Sequence, residues 1–258
     1  QPVHIIFDTD MGNDVDDVMA LAMIHQLERR GVCKLLAVTS SKDHEKSAPF
    51  IDAINTYYGN PRVPVGAVRN GVTPTQGKYL GLVDKKTGDG KIAYPHQLNS
   101  GKNATDAVAL IRKTLASEPD QSVILVQVGF FTNLAQLLDS KSDTHSPLSG
   151  NDLVKKKVKQ LILMAGDFRP AGNRQPHREF NVIMDIPAAQ KVAAKWPTKI
   201  LWSGFEAGQA LTYPWKSISE DFTQPTPNLM HESYMAYVKK PGRQNATWDL
   251  TCVLQAVY

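Results

Sequence analysis

Five carboxylates (Asp8, Asp10, Asp14, Asp16 and Asp17) lie within ten positions, directly after the apolar run Ile5-Ile6-Phe7. Charges of one sign at this spacing repel one another strongly. A chain that places them at the end of a buried strand needs something positive to hold them, and a hard divalent cation bound through oxygen is the simplest partner. Side-chain alternation along the strand end puts Asp8 and Asp10 on one side. Gly12 permits a tight turn. Asp16 and Asp17 then open the next helix, where the dipole favours negative charge.

Three other uses of the cluster compete with a metal site. An EF-hand loop needs Gly at its sixth position and Glu at its twelfth, and this segment fails both. A phosphatase of the haloacid dehalogenase type also begins strand-Asp-x-Asp, but it usually carries Thr or Val two residues after the second Asp, where this chain has Gly12. Helix capping accounts for one or two Asp and not for five.

The surrounding elements must bring these groups to one rim. Strands are predicted over Val3–Asp8, Leu35–Thr39, Pro64–Gly66, Val123–Val128, Val158–Met164 and Ile200–Trp202. Between and after them, helical spacing of apolar residues predicts helices over Asp17–Arg30 (stopped by Gly31), Ala48–Tyr58, Asn103–Ala116, Thr132–Leu138, Pro187–Lys195 and Asn228–Val238. Strands alternating with helices imply an α/β fold, with a mostly parallel central sheet and helices on both faces. Ligands of such sheets bind beyond the carboxyl ends of the strands. Asp8 and Asp10, Ser40–His44, Val128-Gly129 and Ala165-Gly166-Asp167 all follow strands and should therefore converge. Arg69–Lys102, rich in Gly, Lys and Asp, is expected to be a long loop over that rim.

With 258 residues, 42% hydrophobic and 21% charged, the chain has the composition of one globular domain spanning 1–258. The net charge is +4, but only Lys155-Lys156-Lys157 forms a basic run, expected to be a solvated helix end, so no nucleic-acid partner is implied. No apolar stretch approaches the roughly 18 residues of a membrane span. Cys33 and Cys252 are too few for a disulfide framework. Gln at position 1 fits a cleaved signal peptide, hence a periplasmic or secreted protein, and equally a shortened cytoplasmic one.

The segment Asp8-Thr-Asp-Met-Gly-Asn-Asp-Val-Asp-Asp17 resembles the N-terminal signature of the inosine-uridine-type nucleoside hydrolases, calcium-dependent enzymes that cleave the N-glycosidic bond of ribonucleosides. Three later segments are similar to the family's in the same order: Val126-Gln-Val-Gly-Phe-Phe-Thr-Asn-Leu-Ala135, then Met164-Ala-Gly with Asn173, Glu179-Phe-Asn181 and Asp185, and finally Trp248-Asp249. The resemblance implies a Rossmann-like nucleoside hydrolase fold. It implies that Asp10, Asp17, Asp249 and the carbonyl of Val128 bind Ca2+, that Asp16, Asn173, Glu179 and Asn181 grip the ribose hydroxyls, and that Asp8 supports the cluster from behind. Asp14 belongs to an insertion relative to the shortest form of the motif, with capping as its simplest use. The expected chemistry is attack by a metal-activated water with Asp10 as general base, on a sugar whose developing positive charge a carboxylate-rich site stabilises.

Trp248 departs from family members that place His before the last Asp, where it can protonate the leaving base. It is similar to the purine-preferring branch, whose Trp stacks on the base. The expectation is a purine nucleosidase with Trp248 binding the base; packing at a helix start is the alternative. Asp43 and His44 replace a common Gly-Asn pair. Phe168, Tyr79, Tyr234, Tyr237 and His231 are further aromatic or acid candidates, each with packing as the plainer use, and Glu206 is expected to support a helix edge. Two other functions stay open: a binding protein that holds a nucleoside without turnover, and hydrolysis of another ribosyl conjugate. The chain stops nine residues beyond Asp249, where family members continue, so its last part is expected to be incomplete or missing. The resemblance also implies a homo-oligomer, dimer or tetramer.

Overall fold

The computed structural model describes residues 1–170, 172, 175 and 177–258. The first half runs β1 (Val3–Thr9), α1 (Asp16–Arg29), β2 (Cys33–Lys42), α2 (Ser47–Tyr57), β3 (Val65–Val72), β4 (Thr105–Asp106) and α3 (Ala107–Ser117). The second runs β5 (Val123–Gln127), α4 (Thr132–Asp139), α5 (Gly150–Lys157), β6 (Val158–Met164), α6 (Phe180–Met184), α7 (Ile186–Lys195), β7 (Lys199–Ser203), α8 (Phe205–Ala210), α9 (Trp215–Glu220), α10 (Leu229–Val238) and α11 (Trp248–Val257). The seven strands form one sheet in the order β4-β3-β2-β1-β5-β6-β7, and every neighbouring pair is parallel.

Both faces of the sheet are covered, and β1 shows why its sequence is apolar without alternation. Ile5 and Phe7 pack with α1, α2 and α11 on one face, while Ile6 packs with α3, α4 and α7 on the other. Each such side chain taken from water contributes about 1.5–3 kcal/mol. From β1 the chain works outward through β2 and β3 to β4, then returns to β5 on the other flank of β1. The crevice at the carboxyl ends of β1 and β5 is therefore the topological switch point, where this architecture binds ligands.

Several expected boundaries move. β2 continues to Lys42, so Ser40 and Ser41 lie within the strand and only Asp43 and His44 follow it. The β3 strand continues to Val72, taking the first residues of the expected Arg69–Lys102 loop. β4 is two residues long, too short for any periodicity to announce. The rest of that loop carries a 3-10 turn at Leu80–Asp84 and buries Tyr79 beneath the Gly12 turn. Lys155, Lys156 and Lys157 close α5, as the basic run suggests. Among the described residues no helix is long and apolar enough to cross a membrane.

Candidate active site

The end of β1 sets the floor. Asp8 lies inside the strand, fully buried, and its Oδ1 accepts from Thr39 Oγ1 at 2.5 Å and Asn133 Nδ2 at 2.7 Å. Burial pushes its pKa up to about 7 against those two bonds, and Asp10 adds repulsion. It does not line the cavity above, which fits support from behind. Asp10, one step past the strand, does line it, and burial raises its pKa to about 6 while Asn13 and Lys42 pull it down.

The turn from Gly12 leads into α1, whose first two residues are Asp16 and Asp17. Asp17 Oδ1 accepts from Thr9 Oγ1, and its Oδ2 is buried with no hydrogen bond. On the far side of the crevice α11 opens with Trp248 and Asp249. Carboxylate oxygens of Asp16, Asp17 and Asp249 lie within 4.8 Å of one another. Burial first, then the negative charge of neighbouring carboxylates (Asp14 and Asp17 on Asp16, Asp10 and Asp14 on Asp17, Asp16 and Asp17 on Asp249), raises all three pKa values well above the ordinary carboxylate range. The donors are all oxygen, all buried, and crowded at a cost that one hard divalent cation would remove. The residues present therefore fit such an ion. Asp16, expected on the sugar, is itself a member of this trio, whereas Asp10, an expected ligand, is not.

Val128 follows β5 and lines the cavity; its carbonyl accepts from Asn181 Nδ2 at 3.0 Å. The same Nδ2 donates to Met164 O at 3.1 Å, so Asn181 ties the ends of β5 and β6 together. Glu179 caps α6, with its carboxylate accepting from the N–H groups of Asn181, Val182 and Gly166 at 2.8 to 3.2 Å. Both residues line the cavity. Asn173, the remaining expected sugar ligand, lies outside the described residues.

Trp248 has the packing place expected as its alternative use and also borders the cavity. It packs at the start of α11, with Nε1 donating to Phe205 O at 2.8 Å and its Cα against Gly208, where a Cβ would have no room. Its indole also lines the cavity, nearly parallel to the Phe205 ring with centroids 5.3 Å apart, and the His177 ring centroid is 3.9 Å from that of Phe205. The resulting cavity of 360 Å³ gathers Asp10, Asp16, Asp17, Val128, Glu179, Asn181, Trp248 and Asp249.

The other candidates sort differently. Tyr237 lines the cavity, and its hydroxyl donates to Asp14 Oδ2 at 2.7 Å. Asp14 Oδ1 accepts from Asn245 Nδ2 at 2.7 Å and from the N–H groups of Val15 and Asp16. Asp14 thus binds the two N–H groups that lead into α1, ties in α10 and the loop before α11, and itself lines the cavity, while α1 has no side-chain cap at Val15. Tyr79 donates to Asp14 O, and Tyr234 bonds the 243–245 loop; both are packing residues. Phe168 is exposed, His231 pairs with Ile218 O, and Asp43 and His44 border another hollow. Glu206 accepts from Phe168 N–H in the first turn of α8. Asn13, Phe205, His177 and Asn245 are singled out by no sequence pattern, and Lys42 only as part of the Ser40–His44 segment expected at the rim.

An all-parallel sheet with an acidic, oxygen-lined crevice at its switch point defines an α/β protein with a candidate metal site where this architecture binds ligands. The profile of the inosine-uridine preferring nucleoside hydrolases matches residues 5–256, and the chain belongs to that family. It is 26% identical over 191 residues to the inosine-uridine preferring nucleoside hydrolase of Leishmania major, covering 74% of this chain and 57% of that protein. It is 28% identical over 191 residues to the pyrimidine-specific ribonucleoside hydrolase RihA of Escherichia coli, covering 73% and 56%. Among solved structures it superposes on an inosine-guanosine nucleoside hydrolase with a TM-score of 0.71 at 20% identity, over 98% of this chain and 78% of that one. The chain thus spans a little over half the length of these curated relatives.

Proposed function

We propose that this protein hydrolyses the N-glycosidic bond of ribonucleosides, purine nucleosides before pyrimidine ones, to ribose and free base. The observation that carries the reading is the convergence of Asp10, Asp16, Asp17 and Asp249 with Trp248 in one cavity at the switch point. Asp10, Asp17, Asp249 and the Val128 carbonyl would hold a calcium ion, with Asp16 beside them. When bound, that ion supplies a Lewis acid that makes water a better nucleophile near neutral pH.

The protein's own groups then do the rest. Asp10 takes the proton of the attacking water, a task suited to a carboxylate raised to about 6 by burial. Glu179 and the Oδ1 of Asn181 receive ribose hydroxyls; both side chains are already locked by backbone bonds, so the sugar meets a preformed frame. The negative field of the cluster favours the positive charge that builds on the sugar ring. Trp248, held by Phe205 and Gly208, offers its face to the base, which suits the larger purine ring. The curated relatives include a pyrimidine-specific enzyme, so the test compares purine with pyrimidine nucleosides.

The test is reducing-sugar release from inosine, adenosine, guanosine, uridine and cytidine, with and without a chelator. We expect inosine turnover that the chelator abolishes and calcium restores. A uridine preference sinks the purine assignment. Nucleoside binding with no release from any substrate sinks hydrolysis. A dimer or tetramer is proposed on family resemblance and is checked by light scattering.

A further inference from the structure

Lys42 ends β2 and is only 1% exposed. Burying an ammonium group is unfavourable unless negative groups offset it. Here the fields of Asp10 and Asp17 oppose the effect of burial on it. The stem of Lys42 runs beneath the Gly12 turn, where a Cβ on Gly12 would sit 3.1 Å from Lys42 Cδ. Its Nζ donates to Asn13 Oδ1 at 2.7 Å, and Asn13 Nδ2 donates to Asp10 Oδ2 at 2.6 Å. An ammonium can only donate. It therefore orients the Asn13 amide, oxygen toward Lys42 and NH2 toward Asp10, and gives Asp10 a fixed donor on one oxygen.

We propose that Lys42 is a built-in counter-cation of the acidic cluster. It replaces part of a metal ion's charge when the ion is away, and it opposes the ion when the ion is bound. The carboxylates then hold the metal less tightly than they would alone, and the metal-free cluster stays folded. The inference rests on the metal reading above. It concerns the residue's charge, with Asn13 as the bridge that passes its orientation to Asp10.

Calcium titration calorimetry on the wild type, Lys42→Met and Asn13→Ala tests this, with thermal unfolding followed in chelator and in calcium. Lys42→Met keeps the apolar stem and removes the charge. It is expected to bind calcium about tenfold tighter or more, and to gain more in melting temperature on calcium addition than the wild type does. Asn13→Ala keeps the charge and should stay within about threefold of the wild-type affinity. A folded Lys42→Met with equal or weaker affinity overturns the proposal. So does an Asn13→Ala that tightens binding as much, since the lysine would then act through geometry alone. A Lys42→Met that folds only with calcium supports it, whereas one that folds in neither condition overturns it, because the ion should be able to take over the charge. If neither the wild type nor Lys42→Met binds calcium, magnesium or manganese, the metal reading itself fails.

Discussion

The main-chain N–H of Asp249 donates to a carboxylate oxygen of Asp16 at 3.1 Å, joining the first turns of two helices across 233 positions of sequence. The bond points a helix N-terminus at a carboxylate, the favourable sense for the helix dipole. It also carries the Asp249 side chain to Asp16 and Asp17. The acidic trio thus exists only because α1 and α11 pack against each other.

Removing one member of the trio should separate metal binding from stability. Asp17→Asn and Asp249→Asn keep shape and delete one buried negative charge. Calcium affinity is expected to fall at least about 100-fold and kcat/KM for the preferred nucleoside about a thousandfold. The melting temperature in chelator should rise, because a like charge has left a crowded cluster. Calorimetry, initial rates and thermal unfolding check the three parts, and undiminished activity contradicts the assignment.

The same crowding sets a pH dependence. Asp8 at about 7 and Asp10 at about 6 stand above the ordinary 3.8, so the folded chain holds protons more tightly than the unfolded one. Their stabilising contribution is complete below 3.8 and is lost as pH rises through 6 and 7. Asp16, Asp17 and Asp249 shift in the same direction. Buried His25 opposes them: lowered to about 4 by burial, it contributes above 6.5 and loses that contribution as pH falls toward 4. With several carboxylates against one histidine, the melting temperature in chelator should decline from pH 5 to pH 8, and calcium should flatten the decline. A steady rise with pH in chelator refutes this account.

Trp248→Ala should lower kcat/KM for inosine about tenfold and that for uridine less, since stacking on a base scales with ring overlap. The variant should also melt lower, because the indole packs on Phe205 and Gly208. Trp248→Phe is expected to recover most of the inosine activity. Equal losses on both nucleosides would assign Trp248 to packing alone.

Gly12→Ala tests the turn. Gly12 has φ +125°, and an added Cβ would lie 2.7 Å from Leu80 Cδ1. Strain and clash together should cost about 1–3 kcal/mol of stability, read by denaturant unfolding. Asp10 and Asp17 flank the turn, so calcium affinity should weaken as well. An unchanged midpoint contradicts the packing described.

Local patterns made much of this protein legible. Strand and helix periods located β1, α1, β6 and α7 closely, because burial on a sheet or along one helix face leaves its mark within a few residues. The run from Asp8 to Asp17 points to a cation for the same reason: its members repel one another within a single turn and strand end. That Asp249 joins them came only from family resemblance, since nothing near Trp248-Asp249 records which distant helix it will meet.

The remaining features were decided by packing. Lys42 reads as an ordinary lysine at the end of a strand until the Gly12 turn folds over its stem. Asn245 and Tyr237 show no sign of Asp14 in their own neighbourhoods. Phe205 becomes a wall of the cavity only once α8 lies against α11. Composition and periodicity report which surfaces a segment must bury, a local property. Which side chains meet depends on strand order and helix docking, and these are settled by the energy of the whole assembled core.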